Sequence, residues 1–66
     1  MKIVKVYDHY INVDSICEFY ISSSENRTEY TTIITTNSKI YISGDITSEL
    51  SKILASFNET GIKILR

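Results

Sequence analysis

The stretch Tyr30-Thr31-Thr32-Ile33-Ile34-Thr35-Thr36, then Asn37-Ser38, then Lys39-Ile40-Tyr41-Ile42-Ser43, decides the fold class. Threonine and isoleucine fill the first segment behind a leading tyrosine. Such side chains pack well on a pleated surface, so the segment reads as a strand. Asparagine tolerates positive φ, which makes Asn37-Ser38 a plausible two-residue hairpin turn without the usual glycine. The second segment returns as a strand, with Ile40 and Ile42 on one face and Tyr41 on the other. Ile33 and Ile34 are adjacent, so one must point to each side of the sheet.

Toward the C-terminus the period changes. Ile46, Leu50, Ile53, Leu54 and Phe57 fall on one helical stripe, predicting a helix over 46–58. Asp45 after Gly44 is the expected N-cap, and Glu49 lies in the first turn, where the helix dipole favours negative charge. Gly61 offers a C-terminal stop, with Asn58 as an earlier alternative. Ile62, Ile64 and Leu65 then form an apolar tail, either an edge strand or a flap over the sheet.

Toward the N-terminus, residues 22–29 are polar throughout and predict an exposed hairpin connection. Over Ile16–Ser22 strict alternation puts Cys17, Phe19 and Ile21 on one face and Ile16, Glu18, Tyr20 and Ser22 on the other. Asn12-Val13-Asp14-Ser15 reads as a turn or as one turn of helix. Met1–Tyr10 begins as a strand with Val4 and Val6 on one side and Ile3 and Tyr7 on the other. Asp8 and His9 interrupt it, and Tyr10–Val13 can pair back across a tight turn. The expected architecture is an α+β domain: a small curved antiparallel β-meander of three to five strands with one C-terminal amphipathic helix, in a single domain spanning 1–66.

Composition narrows the class further. The chain has 66 residues, 42% of them apolar, twelve isoleucines, two glycines, no proline and a net charge of −1. That excludes collagen-like and Pro/Gly-rich disordered chains. One cysteine cannot make an internal disulfide. No apolar run approaches the roughly 20 residues of a membrane span, and residues 1–20 lack a signal peptide's continuous apolar segment. The expectation is a cytoplasmic protein that does not engage membranes. Asn26-Arg27-Thr28 and Asn58-Glu59-Thr60 match the glycosylation acceptor pattern, but without an export signal they carry no weight.

Residues able to do chemistry are few. Cys17 and His9 are a lone pair with no spacing that specifies nucleophilic catalysis, and the alternation makes Cys17 a small buried core residue. They also fall short of the four ligands of a structural zinc site. The carboxylates are scattered, and the two glycines, Gly44 and Gly61, cannot form a phosphate loop. No enzyme, cofactor, metal or small-molecule substrate is expected. The helix carries Lys52 as its one basic residue, unlike a cationic membrane-surface helix.

Counting faces points elsewhere. One helix covers one side of a sheet. With Val4, Val6, Phe19, Ile21, Ile40 and Ile42 facing it, Ile3, Tyr7, Ile16, Tyr20 and Tyr41 remain on the second side. A patch of that kind marks an interaction surface, and domains this small often gain stability by oligomerising. These five residues are the candidate interaction face, and the expected partner is a second copy of the chain or another protein. The alternative occupant is nucleic acid, with Tyr7, Tyr20 and Tyr41 stacking bases and Lys2, Lys5 and Lys39 reaching phosphates. The net charge of −1 weighs against it.

The order of parts resembles the small flagellar accessory proteins of the FlbD type, and less closely the last strands of LytTR-type DNA-binding domains. Ile11-Asn12-Val13-Asp14-Ser15-Ile16, Thr31–Thr36, Asn37-Ser38-Lys39-Ile40-Tyr41-Ile42 and the closing helix carry the resemblance, over residues 10–55. The chain departs from it in having Asn37-Ser38 for Asn-Gly, in the polar segment 22–29 and in the tail 60–66. The FlbD resemblance implies a small cytoplasmic accessory protein without catalytic residues; a phage or mobile-element inhibitor fits the composition equally well. The reading is therefore a non-enzymatic protein–protein interaction module, an accessory, adaptor or inhibitor that self-associates, with a nucleic-acid-binding regulator as runner-up.

Overall fold

The computed structural model describes all 66 residues as six strands, one 3-10 turn and one α-helix. In chain order they are β1 (Lys2–Val6), β2 (His9–Asn12), a 3-10 turn (Val13–Ser15), β3 (Ile16–Ser23), β4 (Glu29–Thr35), β5 (Lys39–Ser43), α1 (Thr47–Ala55) and β6 (Gly61–Ile64). The α+β class stands, but the strands divide into two three-stranded sheets rather than one meander. The first has the order β2-β1-β6, the second β3-β4-β5. All pairs are antiparallel except β1 with β6, which run parallel.

The connections follow from local chemistry. Val6 pairs with His9, leaving Tyr7-Asp8 as a two-residue turn with Tyr7 at φ 53. Asn12 then accepts the Asp14 N–H through Oδ1, and one 3-10 turn carries the chain from the first sheet into the second. The polar segment expected at 22–29 is shorter as a loop, because β3 continues to Ser23. Ser24 closes the remaining turn by exchanging backbone bonds with Thr28 and Arg27. The second hairpin also differs from expectation. Ile34 pairs with Lys39, and the connection Thr35–Ser38 is closed by the Thr35 N–H and hydroxyl on the Ser38 carbonyl. Asn37 does not take positive φ. A threonine clamp across four residues replaces the tight Asn-led turn.

The core lies where the two sheets and the helix meet. Val4, Val6 and Ile11 of the first sheet pack with Ile33 and Ile42 of the second and with Ile46 and Leu50 at the start of the helix. Ile53 and Leu54 pack on this cluster, and Phe57 is buried, so the helical stripe read from the sequence is the stripe that faces inward. Each sheet therefore covers much of the other's inner face, which a single meander could not do. The helix ends at Ala55, earlier than the periodicity implied. Gly61, at φ 136, opens β6 instead of stopping the helix. The tail Ile62–Ile64 is the edge strand of the two readings given above, and its pairing with β1 is parallel.

Thr31 holds the helix to the second sheet. It is fully buried, donates its hydroxyl to the Gly44 carbonyl at 2.8 Å and accepts the Ile46 N–H at 3.0 Å. Asp45 does not stand at the N-cap itself, which is Ile46. It caps from one residue earlier, taking the Thr47 N–H at 3.0 Å and the Thr47 hydroxyl at 2.6 Å. The C-terminal end is tied by Arg66, whose guanidinium donates to both oxygens of Glu49, and by the Tyr7 N–H on the Arg66 carbonyl.

Two outcomes follow. Thr31→Val keeps the shape but leaves the buried Ile46 N–H without its acceptor and the half-buried Gly44 carbonyl without its donor. Urea unfolding should therefore show a loss of about 1–3 kcal/mol, against well under 1 kcal/mol for exposed sites. The Thr47 hydroxyl, and after it the Thr47 N–H, hold the Asp45 carboxyl below the usual carboxylate range. A folded value below the unfolded one gives stability that is present above the unfolded value and lost as pH falls through the folded one. The advantage of the native chain over Asp45→Asn in urea titrations should therefore be full above about pH 5 and shrink steadily below about pH 4.

Candidate interaction surface

With the inner faces packed together, the surface that remains is two outer sheet faces. On the second sheet, register sets the rows. Tyr20, Thr32 and Tyr41 lie side by side, flanked by Ser22, Tyr30 and Ser43 on one side and by Glu18, Ile34 and Lys39 on the other. Thr32 is only 2% exposed although it points outward. Tyr20 and Tyr41 stand level with it on either side, and its hydroxyl is 3.1 Å from that of Ser22. Tyr30 and Tyr41 meet edge to face with ring centroids 5.9 Å apart, a geometry that adds to their area burial. Tyr41 remains 60% exposed and Tyr20 43%. The result is a tyrosine platform with a dry floor.

On the first sheet the outward residues are Asn12, Ile3 and Ile62 in one row and Tyr10, Lys5 and Ile64 in the next. Tyr10, Ile62 and Ile64 are exposed by 63%, 60% and 69%. The Lys5 ammonium lies 6.0 Å from the Tyr10 ring centroid, so its stem covers part of this face.

The five residues expected on one face are thus distributed. Tyr20 and Tyr41 share the platform of the second sheet. Ile3 is on the outer face of the first sheet, half-buried, and Tyr7 is at the β1–β2 turn with its ring half-exposed. Ile16 faces the core and packs on it. The cause is a β-bulge: Ile16 pairs with Thr35 and Glu18 with Ile34, leaving Cys17 as the extra residue. A bulge breaks strict alternation, so Ile16 and Phe19 share the inner side. Cys17, expected in the core, is exposed, its thiol 3.8 Å from the Ser15 carbonyl. Ile21 is also more exposed than its inward register implied, at 43%.

Tyr10, Tyr30, Ile62 and Ile64 were missed as surface residues. Hairpin register across Tyr7-Asp8 would have placed Tyr10 beside Lys5. Tyr30 shares a face with Thr32 by simple alternation. Nothing local marks the partner of a parallel strand from the far end of the chain, so Ile62 and Ile64 had no such signal.

The lysines expected beside a stacking platform are separated as well. Lys39 lies on the tyrosine face in a row with Glu18, while Lys2 and Lys5 belong to the first sheet. No group of three or more His, Cys, Asp or Glu is placed to hold a metal ion, and no helix is long and apolar enough to cross a membrane.

The accessible surface, 4492 Å², is close to the about 4,300 Å² expected of a folded monomer of this mass. The exposed apolar side chains therefore sit on a properly packed chain, not on a partly open one. The placement of Cys17 is checked with a thiol reagent: in the folded protein it should react within about tenfold of the rate of free cysteine, as an accessible thiol does. A reaction that waits for unfolding contradicts the bulge. No protein-family model matches the chain, and searches of curated proteins and of solved structures return no match.

Proposed function

We propose that this protein is a non-enzymatic interaction module, a small accessory, adaptor or inhibitor, that binds other protein surfaces and associates with itself. One observation carries the reading: five of the eight exposed large apolar side chains are gathered on outer sheet faces, Tyr20 and Tyr41 on one and Tyr10, Ile62 and Ile64 on the other, while Met1, Tyr7 and Ile21 lie elsewhere. Singly scattered apolar residues are ordinary, whereas grouped ones mark contact surfaces. Tyrosine suits such a surface because it offers a large contact area and a polar tip at low entropic cost.

The second reading, nucleic-acid binding, is favoured by the exposure of Tyr20 and Tyr41 on one flat face. Electrostatics oppose it. The platform has Lys39 with Glu18 in the same row, the chain's net charge is −1, and phosphate contacts need surplus positive charge. A labelled single-stranded oligonucleotide should show no salt-sensitive binding; binding abolished by Tyr41→Ser would reverse the order of the two readings.

Self-association is read by sedimentation. The mass should rise above the 7.6 kDa of one chain as concentration increases from about 10 to about 500 µM, the range suited to an interface at the small end of specific contacts. Far-UV circular dichroism should stay constant across that range. A mass fixed at one chain throughout removes self-association from the proposal.

A further inference from the structure

The self-association just proposed has a specific route in the fold. In the β1–β6 ladder the Gly61 N–H donates to the Met1 carbonyl at 2.9 Å and the Leu65 N–H to the Lys5 carbonyl at 2.8 Å. Ile3 is level with Ile62 and Lys5 with Ile64. In a parallel ladder alternate residues turn both backbone groups toward one neighbour. Residues 61 and 63 therefore face β1, and Ile62 and Ile64 turn their N–H and C=O groups to the open side; beyond β6 the ladder becomes irregular, with the Tyr7 N–H on the Arg66 carbonyl. β6 is the outer strand of its sheet, and neither isoleucine N–H takes part in the bonds outside the helix and ladders.

An open edge is a template for another strand unless it is very short or guarded by charge, a bulge or a cover. At four residues β6 is short, which limits the strength of any pairing but leaves its edge without charge, bulge or cover. The other edges have such features: β3 carries the Cys17 bulge, β5 begins on Lys39, and β2 runs directly into the 3-10 turn. The lysine of β6 does not guard it. Lys63 stands level with Val4, on the inner side, where its ammonium donates to the Ser56 carbonyl at 2.9 Å and sits 5.0 Å from the Phe57 ring centroid. The outward side chains next to the open groups are Ile62 and Ile64, 60% and 69% exposed.

We infer that β6 pairs antiparallel with β6 of a second copy, joining two first sheets into one six-stranded sheet. The occupant is a second copy because the edge is self-complementary. A two-fold axis at Lys63 brings Ile62 level with Ile64 of the partner, and Ile64 level with Ile62 of the partner. Each such rung exchanges two backbone bonds and stacks two isoleucines on the outer face, next to Ile3. The two Lys63 side chains come opposite one another on the inner side, which opposes pairing, but each is drawn back to its own Ser56 and Phe57. A pair of four-residue edges buries less than the about 800 Å² per partner of a standard interface, so the dimer is weak and reversible.

The test is backbone amide hydrogen exchange, read by NMR at dilute and high concentration, on the intact chain and on Ile64→Lys. At dilute concentration the Ile62 and Ile64 amides should exchange freely. At high concentration both should slow by about tenfold or more as pairing closes them, while Ile64→Lys, folded by circular dichroism, should remain monomeric with both amides open. A chain that associates by sedimentation while these amides stay open overturns edge pairing and leaves self-association standing. A monomer at every concentration overturns both, and the edge is then left to a strand of another protein.

Discussion

The contact between Val4 and Val6 of one sheet and Ile33 and Ile42 of the other, sealed by Ile46 and Leu50, is the interaction on which the structure depends. Each three-stranded sheet has an apolar inner face that must be kept from water to be stable, and here the other sheet and the helix cover it. The helix is short, nine residues, below the length at which helices persist alone. It exists because Leu50 enters the gap between the sheets and Thr31 receives its first turn. The core and the helix thus share the same buried side chains.

That arrangement uses the apolar residues economically but not completely. Only ten residues are buried, so most isoleucine and tyrosine positions are spent outside the centre. On the second sheet Tyr30 and Tyr41 find a partial solution by packing edge to face against each other. On the first sheet Ile62 and Ile64 find none. The first sheet is therefore where the fold has most to gain from a neighbour, and its open backbone edge adjoins the same side chains.

Much of this was legible in the chain. The β-branched run at 31–35 predicted the central strand, and the spacing of Ile46, Leu50, Ile53, Leu54 and Phe57 predicted an inward apolar stripe. Of that stripe the helix itself carries Leu50, Ile53 and Leu54, with Ile46 at its N-cap and Phe57 beyond its end. Asn12-Val13-Asp14-Ser15 reads as a turn or one turn of helix, and it forms a single 3-10 turn. What could not be read were features set by non-local pairing. The bulge at Cys17 is dictated by how β3 must lie on β4, not by residues 16–18 themselves, and it reversed the placement of Ile16 and Cys17. The division into two sheets comes at the 3-10 turn, where β3 leaves β2 instead of pairing with it, and the first sheet gains its third strand only when β6 returns to β1 in parallel, which no nearby residue announces. For the same reason a face assembled by parity alone joined Ile3 and Tyr7 to Tyr20 and Tyr41, which the fold keeps on different elements.

Anything that binds the folded chain and not the unfolded one raises apparent stability with concentration. The thermal midpoint measured over a roughly hundredfold range of protein concentration tests most directly the claim that the packed core leaves apolar surface for a second copy to cover. The account predicts a midpoint that climbs with concentration while unfolding remains reversible. A midpoint that does not move across that range contradicts it.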